Sequence, residues 1–210
     1  MAAPHPWLKP GLIAGACIPG AVIVTRAATG NLGANPIAES LNRFGLCALI
    51  FLVASLALTP LKVLTGWTWP VRIRRNVGVI AFVYASVHLL TYVGVDQGFA
   101  WGTLLKDVLK RPFIAVGFLA WLILLPLAVT STDAMVKRMG FVRWKQLHRL
   151  AYVAGGLGAL HFYMRVKSDV REPLVYASVL ATVLVLRVVD AIRNPKPKPK
   201  PRAAPRPEPG

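Results

Sequence analysis

Asn76 to Val95 reads NVGVIAFVYASVHLLTYVGV and Leu150 to Met164 reads LAYVAGGLGALHFYM; neither stretch holds an Asp, Glu, Lys or Arg, and each holds one histidine, His88 or His161. A helix of about 20 apolar residues is about 30 Å long, the thickness of the bilayer hydrocarbon. The first stretch therefore predicts a membrane-spanning helix with an imidazole inside it. The second is shorter, and spans only if the flanking Arg149 and Arg165 carry their charged heads to the interface while their stems stay in the apolar region. Four more charge-free windows cover residues 10–25, 44–61, 112–132 and 173–186. The count is six, which predicts an all-α polytopic membrane protein built as a six-helix bundle. The expected organisation is a cytoplasmic N-terminus (1–10), a transmembrane domain (11–193) and a Pro/Lys/Arg-rich tail (194–210).

Composition agrees with that reading. Charged residues make up only 16% of the 210, against about 25% in soluble domains, yet the net charge is +17 and the mean hydropathy is +0.54. Apolar and basic residues must be segregated, since an apolar interior cannot hold unpaired charge. Nucleic-acid binding, the usual partner of such basicity, is excluded because the aromatics lie inside apolar runs and the cations at their edges. Cys17 and Cys47 sit in apolar stretches without metal-ligand spacing and are expected to be buried apolar residues.

Alternate connections differ in basic content. Seventeen of the 25 Lys and Arg residues fall on the side shared by both termini, the 62–75 connection and the 137–149 connection. Positive-inside reasoning puts that side in the cytoplasm. Trp67, Trp69 and Trp101 lie near proposed span ends, where an amphipathic indole prefers to sit. The tail alternates Pro with Lys or Arg and is expected to be a disordered, extended cytoplasmic segment that grazes anionic lipid, the alternative being a docking arm.

No carboxylate lies in the middle of any window, which weakens a proton- or ion-coupled transporter. Histidine is the polar group that the spans do hold. On the assigned topology His88 and His161 fall in the outer halves of two helices running the same way, at similar depth. Two imidazoles from different helices at one level are able to bind a single metal, axial ligation of haem iron being the natural version, and the alternative is that each bonds a neighbouring helix. His148, just before the fifth window, is 13 residues from His161, about 20 Å along one helix and some 140° around it, so the two cannot share an iron. It is placed to ligate a second haem, to contact a quinone or flavin, or to do neither. Gly155, Gly156 and Gly158 bare the backbone for a macrocycle or for helix packing. The chain has no Walker loop or dinucleotide-binding turn, so electrons would come from a partner or a lipid-soluble carrier.

The motifs Asn31-Leu32-Gly33-Ala34-Asn35-Pro36, Arg111-Pro112, Ser131-Thr132-Asp133-Ala134-Met135, Arg143-Trp144-Lys145-Gln146-Leu147-His148 and Pro173-Leu174-Val175-Tyr176-Ala177, on six spans, resemble the ferric reductase-like transmembrane domains and, among them, the MsrQ (YedZ) family. The resemblance runs from about Leu12 to Ile192. It implies a b-type cytochrome subunit of the bacterial inner membrane that takes electrons from the quinone pool or a cytosolic flavin reductase. The electrons would pass to a periplasmic molybdopterin methionine-sulfoxide reductase of the MsrP type, a separate catalytic chain that repairs oxidised proteins. It further implies one or two haems b, with His88, His148 and His161 as iron-ligand positions and His88 with His161 on the outer haem, and it associates flavin mononucleotide with the chain. Oxidase relatives carry a second histidine 13 residues before the first, where this chain has Arg75. Arg72, Arg74 and Arg75 are expected to anchor the inner face or to pair with haem propionates or an anionic donor. The 96–111 connection, with Trp101, Lys106, Asp107, Lys110 and Arg111, is a candidate contact for the periplasmic partner. Rival readings are another transmembrane haem reductase acting on ferric iron or quinone, a non-redox transporter, and a structural anchor.

Overall fold

A computed structural model describes residues 7–194; the 1–6 segment and the tail beyond 194 lie outside the described residues. Nine α-helices and one π-helical turn make up the described chain, with no strand among them: α1 (Leu8–Ala28), α2 (Pro36–Thr65), α3 (Trp69–Leu90) continued by the π-turn Thr91–Asp96, α4 (Trp101–Lys110), α5 (Pro112–Val129), α6 (Asp133–Met139), α7 (Phe141–Leu147), α8 (Leu150–Arg165) and α9 (Arg171–Arg193).

The helices run beyond the charge-free windows, because backbone hydrogen bonding continues where hydropathy stops. Glu39, Arg43 and Lys62 lie within α2, and Arg72, Arg74 and Arg75 within α3. Five helices, α1, α2, α3 with its π-turn, α5 and α9, are long and apolar enough to cross a membrane. The expected fifth span is α8, whose 16 residues reach only about 24 Å. Local signals explain the ends. The Asn35 side chain accepts the Ala38 N–H at 3.1 Å and Pro36 opens α2, whose far end closes on Gly66 at φ 74°, its N–H bonded to the Lys62 carbonyl.

Four helices form the centre. α2 packs on α3 and on α8, and α5 packs on α3 and on α8, so that α3 and α8 face each other diagonally. Ala81 and Ala154, both fully buried, meet Leu52 and Leu124 where the four converge. α9 closes one flank through Leu180 and Val183 against Leu49, Val53 and Leu56 of α2 and Ala159 of α8. α1 closes the other through Ile23 against Phe44 and Tyr84. The Tyr84 hydroxyl donates to the Ala16 carbonyl at 2.6 Å and accepts the Gly20 N–H at 2.9 Å, pinning α1 to α3. Each such bond is worth about 1 kcal/mol, and more where its loss strands a buried partner.

Two expectations are corrected. Cys17 lies exposed on the outer face of α1 rather than buried, and Cys47 is only half-buried, because a membrane-facing helix surface is apolar without being covered by protein. His148 and His161 do not share a helix: His148 caps the end of α7, and α8 begins at Leu150. A rise and rotation counted along one helix therefore do not apply to them. The glycines of α8 serve packing at two positions, since a Cβ on Gly155 would press on Leu56 and one on Gly158 would touch Leu49, while Gly156 faces open space.

Candidate functional site

His88 on α3 and His161 on α8 come together, as their shared depth predicted. Their ring centroids stand 6.1 Å apart with the planes 77° from parallel. Neither ring takes its orientation from its own helix. His88 Nδ1 lies 2.8 Å from the Leu41 carbonyl of α2, and His161 Nδ1 lies 2.6 Å from the Phe113 carbonyl of α5. A carbonyl only accepts, so Nδ1 carries the proton in both rings and each Nε2 is left with a lone pair.

A helix carbonyl is normally shielded by the residue four positions on, and here that residue is glycine on both helices. A Cβ on Gly45 would stand 3.1 Å from His88 Nδ1 and Cε1, and one on Gly117 would stand 2.6 Å from His161 Nδ1. The bare glycine lets the imidazole lie against the helix and reach the carbonyl one turn back. Sequence reasoning missed Gly45, Gly117, Leu41 and Phe113, although a glycine inside each of two apolar runs was a visible signal of close approach.

Polar bonds lock the surroundings. Arg165, one turn beyond His161, bonds the Asn42 side chain and lies 5.6 Å over the Phe162 ring, tying α8 to α2 beside Leu41. Trp121 Nε1–H donates to the Ser86 hydroxyl at 2.9 Å, tying α5 to α3.

His148 lies apart, at the opposite end of the bundle. Its Nδ1 lies 3.0 Å from the Trp144 carbonyl of its own turn, and its ring stacks on Trp144 at 3.9 Å. Among the described residues, Nε2 meets the Ser131 hydroxyl at 3.4 Å, and that hydroxyl itself donates to the Leu127 carbonyl at 2.6 Å. Partial burial and the Arg74 and Arg75 charges hold the His148 pKa below its usual 6.5, against the opposing Trp144 and Leu127 carbonyls. Arg75 pairs with Asp133 at 2.5 Å, and Arg74 bonds the Thr59 hydroxyl at 2.9 Å. Trp67 and Trp69 stack beside that end. Among the described residues no cluster of three or more His, Cys, Asp or Glu side chains is placed to hold a metal, so a metal at either end would rest on one or two imidazoles and on whatever else it brought.

The arrangement at His88 and His161 is able to hold one metal ion between two neutral imidazoles fixed by backbone. Comparison with known proteins agrees with the architecture. The pattern described as ferric reductase like transmembrane component matches residues 44–159, a stretch that includes His88 and His148 and stops two residues before His161. The chain is 52% identical to a protein of Rhodospirillum rubrum over 79% of both chains, and 45% identical to one of Deinococcus radiodurans over 88% of this chain and 91% of the other. A protein of Caulobacter vibrioides is 45% identical over 88% of each. All three are named protein-methionine-sulfoxide reductase heme-binding subunit MsrQ. With its multi-pass helical bundle and these likenesses, the chain belongs to the MsrQ family of ferric reductase-like membrane proteins.

Proposed function

We propose that this chain is a b-type cytochrome that holds haem between His88 and His161 and passes electrons to a separate catalytic chain reducing methionine sulfoxide. The observation that carries the reading is the adjacent pair of imidazoles, each with Nδ1 committed to a backbone carbonyl, which leaves Nε2 its lone pair. With ring centres 6.1 Å apart, His88 and His161 are the residues that would hold the iron, each through Nε2. The names of the relatives supply the haem.

Bound haem would contribute a one-electron iron couple. The protein's own part is positioning. The Leu41 and Phe113 carbonyls fix the tautomer and raise the basicity of the imidazoles, and Gly45 and Gly117 give them room. The histidines themselves bring no charge when neutral, and the Arg165 guanidinium one turn beyond His161 is the positive charge beside them.

The basic asymmetry of the chain supports both termini in the cytoplasm of a bacterial inner membrane, which puts the pair towards the periplasm and its acceptor, an MsrP-type molybdopterin reductase. The donor, quinone or a cytosolic flavin reductase with flavin mononucleotide, then meets the opposite end, where His148 is the position for a second haem or a flavin contact and Arg72, Arg74 and Arg75 supply positive charge. The test is a dithionite-reduced minus oxidised spectrum of the detergent-purified protein with haem counted per chain. A low-spin b-type signal is expected, and its absence after haem supplementation overturns the reading.

A further inference from the structure

Between the π-turn and α5 the chain forms α4, a ten-residue helix with three distinct sides. Leu104 is buried at 8% exposure, and Asp107 and Val108 turn the same way, into the bundle. Asp107 is held there by the Tyr92 hydroxyl, which donates to it at 3.1 Å, and faces Arg111 at 3.7 Å. At 100° per residue, Trp101, Leu105 and Leu109 fall on a second side, and they are 70%, 63% and 78% exposed. Thr103, Lys106 and Lys110 form the third side, facing away from the bundle.

An apolar stripe of three large side chains left in water would be costly, at about 1.5–3 kcal/mol for each that could be buried instead. Its setting names the occupant. Phe99, exposed like the stripe, has its ring centre 6.3 Å from that of Trp101 and lies against Gly94, next to the exposed Val95 at the end of a helix long and apolar enough to cross a membrane. Lysines border it on the side away from the bundle, where lipid phosphates would be. We propose that α4 is an in-plane membrane helix, with Trp101, Leu105 and Leu109 seated at the boundary between lipid headgroups and acyl chains and Lys106 and Lys110 among the phosphates. The partner of this surface is the lipid bilayer and not a protein. α4 leads through Arg111 and Pro112 into Phe113, so lipid seating of α4 also steadies the carbonyl that His161 uses.

The inference stands on the membrane fold alone and is independent of any cofactor. It is tested on the full chain, with Cys17→Ser and Cys47→Ser, in vesicles of phosphatidylcholine and phosphatidylglycerol, with a nitroxide placed through Leu105→Cys, Leu109→Cys or Lys106→Cys. Collision with a water-soluble nickel chelate, relative to oxygen, is expected to be at least about threefold lower at 105 and 109 than at 106. Equal, nickel-accessible labels at all three overturn the proposal. So does protection at 105 and 109 that arises only when the catalytic subunit is added, which would make the stripe a protein-docking face. In the unlabelled protein, bromine-substituted lipid should quench a fluorescence component that Trp101→Phe removes; no difference between the two proteins counts against it.

Discussion

The two ends of the bundle use histidine in opposite ways. At one end His88 and His161 reach across 47 and 48 residues of chain to carbonyls on other helices, and their ring centroids stand 6.1 Å apart. At the other end His148 bonds the carbonyl four residues back in its own turn, stacks on Trp144 and meets no second imidazole among the described residues. A long-range bond exists only if the helices pack correctly, whereas a local one forms wherever its turn forms. The first arrangement therefore depends on the tertiary structure of four helices and the second on one turn, which makes the paired end the more demanding and the more readily broken.

Replacement of the histidines separates the ends most sharply. His88→Ala or His161→Ala should abolish the low-spin bis-imidazole signal, while His148→Ala should keep it; a signal that survives in both of the first two variants sinks the ligand assignment. Next in size are the glycines. The Cβ of Gly117→Ala would lie 2.6 Å from His161 Nδ1 and that of Gly45→Ala 3.1 Å from His88 Nδ1. Overpacking of this kind costs about 1–3 kcal/mol, so haem retention in a competition assay should fall about tenfold for Gly117→Ala and less for Gly45→Ala. The reverse order would contradict the cradle geometry.

Acid should act on the other end. His148 titrates below its usual 6.5 in the folded protein. Above about pH 6.5 the ring is neutral in folded and unfolded chains alike and the native contacts are intact. As pH falls from there to the folded pKa, the unfolded chain takes up a proton that the folded one resists, so stability falls. Thermal melts from pH 7.5 to 5 should show this slope, and His148→Gln should flatten it. The smallest effect is expected for Asp133→Asn. It removes the ion pair with Arg75, but Asp133 is fully exposed, and such pairs add little; the melting temperature should move by no more than about 2 °C. A larger drop would show that this pair holds α6 in place.

Much of this was legible in the chain before folding. Charge-free windows locate the spans, since hydrocarbon tolerates no unpaired charge, and a histidine in each of two such windows already points to a shared site. The nearness of His88 and His161 agrees with their similar depth on helices of the same direction, although depth alone does not fix the side of the helix each ring takes. The helix ends were not legible, because α2 and α3 absorb Glu39, Arg43 and Arg72 that hydropathy assigns to connections. Nor was the place of His148: treating it as part of the fifth helix ignores the break at Arg149. The carbonyl partners stayed hidden for a simpler reason. Backbone groups are the same at every position, and only the packing of α2 on α3 and of α5 on α8 selects Leu41 and Phe113 from dozens of equivalents.

The glycine beside each carbonyl has a consequence for how such a site tolerates change. For the histidines themselves α2 and α5 supply no side chain; each supplies a missing methyl one turn after an acceptor that every helix already owns. What must be preserved is the rotational phase of a bare notch. A one-residue insertion between Gly45 and the connection at 66–68 would swing that notch by about 100° relative to α3 and part His88 from the Leu41 carbonyl without altering either histidine, while wholesale exchange of apolar residues on the lipid side of the same helix would leave the ring where it is.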